Sequence, residues 1–175
     1  MSEYDFTLKY VLPDTNVDPE TFVGALLEAG CDDAIVGIGS AGRISLNFTR
    51  EAVSAAEAVF SAMENIKEAI PGAKLVEAMP DFVGLTDVAD MLGFSRQNMR
   101  KIVIKYGALF PPPAHEGKSS FWHLSRILDW LAENQQYHID KSLHELAKIN
   151  MALNITLEHQ SIDPNLEKRA RYLCA

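Results

Sequence analysis

LTDVADMLGFSRQNMRK, residues 85–101, decides how the chain is read. Thr86 suits the cap of a helix running through Leu92, Gly93 permits a sharp turn, and Ser95 caps a second helix from Arg96 to about Lys105. With Leu85 as the first position, Ala89 falls where two crossing helices leave room only for a small side chain. Val88, Leu92, Met99 and Ile102 then supply the apolar lock between them. Small residue, glycine and buried positions agree in one register, that of a helix-turn-helix. What remains outward on the second helix is Ser95, Arg96, Gln97, Asn98, Arg100, Lys101 and Lys105. Arginine can donate two hydrogen bonds to guanine, and Gln or Asn can pair bidentately with adenine; lysine and serine suit phosphate. A solvated helix face is the bland alternative, but this one has no acid between Ser95 and Lys105.

Outward from this segment the pattern continues. Phe110-Pro-Pro-Pro113 is an extended, stiff connector, residues 116–120 can turn, and Phe121-Trp122 returns. Such a hairpin is a wing, and its tip, with Lys118 and Ser119, would touch phosphate or reach the minor groove. Ser125 would cap a helix to about Asn134 with Ile127, Leu128, Trp130 and Leu131 inward; Trp122 and Trp130 read as core. Beyond it, Ile139, Leu143, Leu146, Asn150, Leu153 and Leu157 are spaced 4, 3, 4, 3, 4, an a/d seam. Ser142 and Glu145 would form a capping box at its start. A buried Asn150 would fix the register of a two-stranded dimer; the other reading is a helix packed on its own domain. Asp163-Pro164 starts a last helix whose Lys168, Arg169 and Arg171 suit a solvated face.

Before the opening segment, Tyr4, Phe6, Leu8, Tyr10 and Leu12 alternate with mostly polar residues, the mark of a half-buried strand. Asp18-Pro19 starts a helix with Phe22, Ala25, Leu26 and Ala29 on one face, ended by Gly30. Strands at 34–36 and 43–48, a helix with Ala55, Val59, Met63, Ile66 and Ile70 inward, and a short strand at 74–79 follow. Strand, helix, strand, strand, helix, strand predicts a ferredoxin-like split βαβ sandwich over residues 1–80. Residues 37–42, GIGSAG, match G-x-G-x-x-G, but no helix opens there to hold a pyrophosphate, so they read as a hairpin loop. Asp32-Asp33 reads as a solvated turn rather than a metal site, for want of a third ligand.

The totals bound the function. The 175 residues, 47% hydrophobic and 23% charged, have the composition of a globular protein. No apolar run is long enough to cross a bilayer, and the first residues lack the basic start and apolar stretch of a signal peptide. Cys31 and Cys174 lie far apart, and no two of the five histidines are spaced i, i+4, so no metal, cofactor or catalytic constellation is expected. A reduced cytoplasmic compartment follows as the expectation. The formal charge is −8, the wrong sign for a polyanionic partner. From Ser95 to Arg126, however, six basic residues face one acidic residue; this window is +5 and the remainder −13. The positive charge gathers where the opening segment lies.

Residues of about 82–131 resemble the excisionase-like branch of the MerR-type winged helix-turn-helix family. The resemblance rests on L-x-x-V-A-x-x-L-G-x-S-R (Leu85–Arg96), F-P-x-P (Phe110–Pro113), a basic hairpin, and the W-x-x-x-x-I-x-x-W-L run from Trp122 to Leu131. The first part, through "EAGCDDA" and "LNFTREA", resembles bacterial proteins that join such a winged helix to a small α/β domain. The resemblance implies binding to double-stranded DNA through Ser95, Arg96, Gln97, Arg100 and Lys101. Three parts are therefore expected: an α/β domain at 1–80, a winged helix-turn-helix at 81–135, and a helical tail at 136–175. The expected function is that of a sequence-specific transcriptional regulator, a homodimer with a protein partner or effector at its N-terminal domain. A DNA-bending, recombination-associated factor and an antitoxin-like adaptor module are the alternatives.

Overall fold

The computed structural model describes residues 1–135 and 137–174 of the chain. It is a mixed α+β fold with a four-stranded antiparallel sheet. Strand β1 (Ser2–Val11) buries Tyr4, Phe6, Leu8 and Tyr10 on one face, as the alternation requires. Asp18 accepts from Glu20 N at 3.0 Å, and a single helical turn from Pro19 leads into α1 (Val23–Glu28). Strands β2 (Ala34–Ile38) and β3 (Arg43–Ala52) form a hairpin, and α2 (Ala55–Ala69) is capped by Ser54. Strand β4 (Lys74–Met79) completes the order β2-β3-β1-β4.

The G-x-G-x-x-G stretch is thus the end of β2 and a hairpin loop. Gly42 (φ +76°) closes it under Thr15, where a Cβ would lie 2.6 Å from the threonine Cα. Helices α1 and α2 cover the face that carries Leu8, Leu46 and Phe48, and Ala58, Val59, Ala62 and Ile66 come from α2.

A second core follows. The two-residue strands β5 (Phe82–Val83) and β6 (Trp122–His123) pair, with α3 (Leu85–Met91), α4 (Arg96–Tyr106) and α5 (Leu124–Gln135) around them. Val88, Ala89, Met99, Leu124, Ile127, Leu128 and Leu131 are fully buried there. Three caps differ from expectation. Gly84 rather than Thr86 precedes α3, its N–H donating to Asp87 Oδ2 at 2.8 Å. Ser125 lies inside the first turn of α5, buried, its hydroxyl 3.1 Å from Met151 Sδ. Asp140 rather than Ser142 caps α6 (Lys141–His159), accepting from Leu143 N at 2.9 Å. At α3 and α6 the residue two positions before the expected cap also has the chemistry or the freedom to end the preceding loop.

Of the two readings of the 4-3-4-3-4 seam, the structure shows packing within the chain. Helix α6 turns the seam inward: Leu146 joins the first core with Ile149 and Leu153 beside it, while Ala147 joins the second with Ile139 and Leu143. Asn150 is fully buried, donating to Pro80 O at 3.2 Å, and Leu157 is half-buried. A heptad stripe specifies only an apolar face that needs covering, and β1, β4, α2 and α5 of the same chain supply the cover. The final helix α7 (Pro164–Cys174) buries no side chain.

Candidate nucleic-acid interface

The turn between α3 and α4 is closed by Phe94 N donating to Ala89 O at 2.8 Å, with Gly93 at φ +67°. That left-handed conformation is why glycine stands there. Ser95 Oγ accepts from Asn98 N at 3.1 Å and fixes the first turn of α4. Ala89 and Met99 are fully buried and Ile102 nearly so; these contacts set how α4 crosses α3.

The lock leaves a face outward. Ser95, Arg96, Gln97, Arg100, Lys101 and Lys105 are all exposed. No ion pair engages the four cations among the described residues, although Lys105 Nζ lies 4.8 Å from the Tyr106 ring centroid. Asn98, also expected outward, is only half exposed. Helix α3 carries exposed Asp87 and Asp90, so the positive face belongs to α4 alone. One apolar residue interrupts it: Ile104 is 71% exposed, with Leu109 (75%) just past the helix end. Sequence reasoning passed over both, since single apolar residues in a helix read by default as core.

After the proline connector, residues 114–121 form a hairpin. His115 and Phe121 bridge, with Phe121 N donating to His115 O at 3.0 Å and Ala114 N to Phe121 O at 2.8 Å. Lys118 and Ser119 lie exposed at its tip. Trp122 Nε1 donates to Pro111 O at 2.9 Å, tying the proline connector to the hairpin base. Phe110 meets the Trp130 ring edge-on at 5.0 Å between centroids, so both tryptophans serve packing.

Behind the interface lies a polar cluster with no signature in the sequence. Asp81 is 1% exposed; its Oδ1 is 2.9 Å from His123 Nδ1, and its Oδ2 accepts from Asn154 Nδ2 at 2.8 Å. Asn154 also bonds both the N–H and the carbonyl of Ala78, each at 2.8 Å. These residues come from the β4–β5 link, β6 and α6, and sequence spacing cannot join them. A second cluster surrounds Arg50, which is 8% exposed. Its guanidinium donates to both oxygens of Asp33 (2.6 and 2.9 Å), to Ser61, Asn65 and the Gly30 carbonyl. Asp33 is therefore an anchor for a buried arginine and not a solvated turn residue, whereas Asp32 is exposed.

Among the described residues, no group of three or more His, Cys, Asp or Glu is placed to hold a metal ion, and no helix is long and apolar enough to cross a membrane. No protein-family model matches the chain, and comparison with curated proteins and with solved structures gave no match.

Proposed function

We propose that the chain is a sequence-specific DNA-binding protein, a transcriptional regulator that inserts α4 into the major groove. In this reading α3, α4 and the 114–121 hairpin form a winged helix-turn-helix, and residues 1–80 a ferredoxin-like sandwich. The strand order β2-β3-β1-β4 with antiparallel neighbours supports the second assignment. The resemblance of residues 82–131 to excisionase-like winged helices supports the first. The observation that carries the function is the outward face of α4: four exposed cations and Gln97 without an intervening acid, on a chain whose first eighty residues carry the whole −8 charge.

Arg96, Gln97 and Arg100 would read base edges, while Ser95, Lys101, Lys105, Lys118 and Ser119 would hold phosphates. Selection of bound duplexes from a random pool tests this. A defined consensus is expected from the wild type, with preference lost at one base position in Arg100→Ala and a cost of about 1–3 kcal/mol there. A pool that shows no enrichment contradicts the proposal.

Ile104 and Leu109 favour a second reading, in which the same face meets a protein, as in an adaptor module. Ile104→Ser leaves duplex affinity nearly unchanged on the first reading and abolishes partner capture on the second.

A further inference from the structure

The open face of the four-stranded sheet holds a pocket that the DNA-binding reading does not use. The register puts Gly37, Ser45, Lys9 and Glu77 in one row across β2, β3, β1 and β4. Arg43 and Lys74 lie one row further toward the β2–β3 hairpin, on either side of Val11. The core-facing neighbours Ile44 and Tyr10 are buried, so these residues point away from α1 and α2. Glycine and serine give the row a low floor, and the depression over it, open to solvent on one side, holds about 470 Å³. That volume falls within the range of small-molecule sites, roughly 300–1,000 Å³.

The charge is unusual for its surroundings. Residues 1–80 contain thirteen acidic and five basic side chains, yet two of the five basic ones, Lys9 and Arg43, line the pocket against a single acid, Glu77. Lys9 Nζ is 2.8 Å from Glu77 Oε2, while Arg43 is exposed and has no ion pair among the described residues. Glycines at 37 and 39 bring backbone close to the space between these charges.

We propose that this pocket binds a small organic anion, a compound bearing a carboxylate or phosphate on a compact body. Arg43, with Lys9 beside it, would hold the anionic group, the Gly37–Ser45 floor would seat the body, and Glu77 would accept a hydrogen bond from a donor on it. The site is independent of α4, and its test requires no DNA.

The test is an amide-resolved NMR titration of the full chain with AMP and with citrate, adenosine serving as the neutral comparator at equal ionic strength. The proposal expects saturable shifts at Gly37, Gly39, Ser40 and Ser45 with at least one of the two anions and none with adenosine. Arg43→Ala should weaken that binding about tenfold or more, as for loss of a hydrogen bond to a charged group. Gly37→Val keeps every charge, its Cβ lies 3.4 Å from Ser45 O, and its methyl groups fill the floor. It should abolish the shifts while leaving the unfolding midpoint in place. Absence of saturation with both anions in the millimolar range overturns the proposal. So does binding that survives both substitutions, or shifts confined to α4 and the 114–121 hairpin.

Discussion

Asn154 accepts from Ala78 N and donates to Ala78 O and Asp81 Oδ2, so one side chain satisfies two backbone groups and half of a buried carboxylate. Removing it strands all three. Asn154→Ala is expected to cost about 2–4 kcal/mol, read as a lower urea midpoint with unchanged slope; a loss below about 0.5 kcal/mol would mean that these groups find other partners. The two cysteines give a contrasting residue-scale prediction. Burial raises the Cys31 thiol pKa; Arg50 opposes this, and Asp33 and Asp32 add to it. Cys31 is 1% exposed, whereas Cys174 is exposed. A thiol reagent at neutral pH should therefore modify one cysteine quickly and the other only on unfolding. Two fast thiols would contradict the burial of Cys31. None of these residue roles was legible beforehand. Asn154 and Asp81 are separated by 73 positions, and Arg50 lies beyond the strand expected at 43–48, so nothing marked it as the centre of a buried cluster.

At the scale of elements, periodicity served well where an element turns a single apolar face to a core. The alternation in β1, the stripe of α2 and the Ala89–Gly93–Met99 register all reappear at the expected positions. It left two readings open at α6, because a 4-3-4-3-4 spacing says that a face must be covered and not by which chain. Two consequences can be checked. Leu146→Ala should cost about 2–5 kcal/mol. Because α6 also contributes Ala147 to the core that holds Trp122, the tryptophan fluorescence transition should move together with the far-ultraviolet one. Separate transitions would show that α6 does not couple the two cores. Asn150→Leu, in turn, should leave the sedimentation coefficient unchanged, since its seam is already covered; a shift in oligomer distribution would return the seam to an intermolecular role.

Between α5 and α6, Asp129 Oδ1 lies 2.6 Å from His144 Nε2 and 3.1 Å from Lys148 Nζ. Burial alone would raise the Asp129 pKa, but hydrogen bonds and charge from Lys148 and His144 outweigh it and the net shift is downward. A depressed folded-state pKa gives stability that is present above the ordinary carboxylate range and is lost as pH falls through the lowered value. The side chain is 44% exposed, so the effect stays below about 1 kcal/mol. The melting-temperature gap between wild type and Asp129→Asn should be visible at neutral pH and close on acidification. A gap that persists unchanged in acid would remove the ion pairs from the account.

For the whole molecule, charge is distributed by region. Residues 1–80 carry −8, while residues 81–135 and 136–175 are each neutral in sum, so the basic face of α4 stands out only because its compensating acids lie elsewhere. On the proposed reading, repulsion of the acidic part from phosphate would orient the chain with α4 and the 114–121 hairpin toward DNA and the sheet away from it. The most direct measurement is the salt dependence of duplex binding for wild type and for a variant with Arg96, Arg100 and Lys101 all replaced by alanine. Each phosphate contact contributes about 0.9 to the slope of log affinity against log salt. Wild type should show a steep slope, and the triple variant a shallower one with weaker binding at every salt concentration. Equal slopes and equal affinities would contradict the assignment of α4 to DNA.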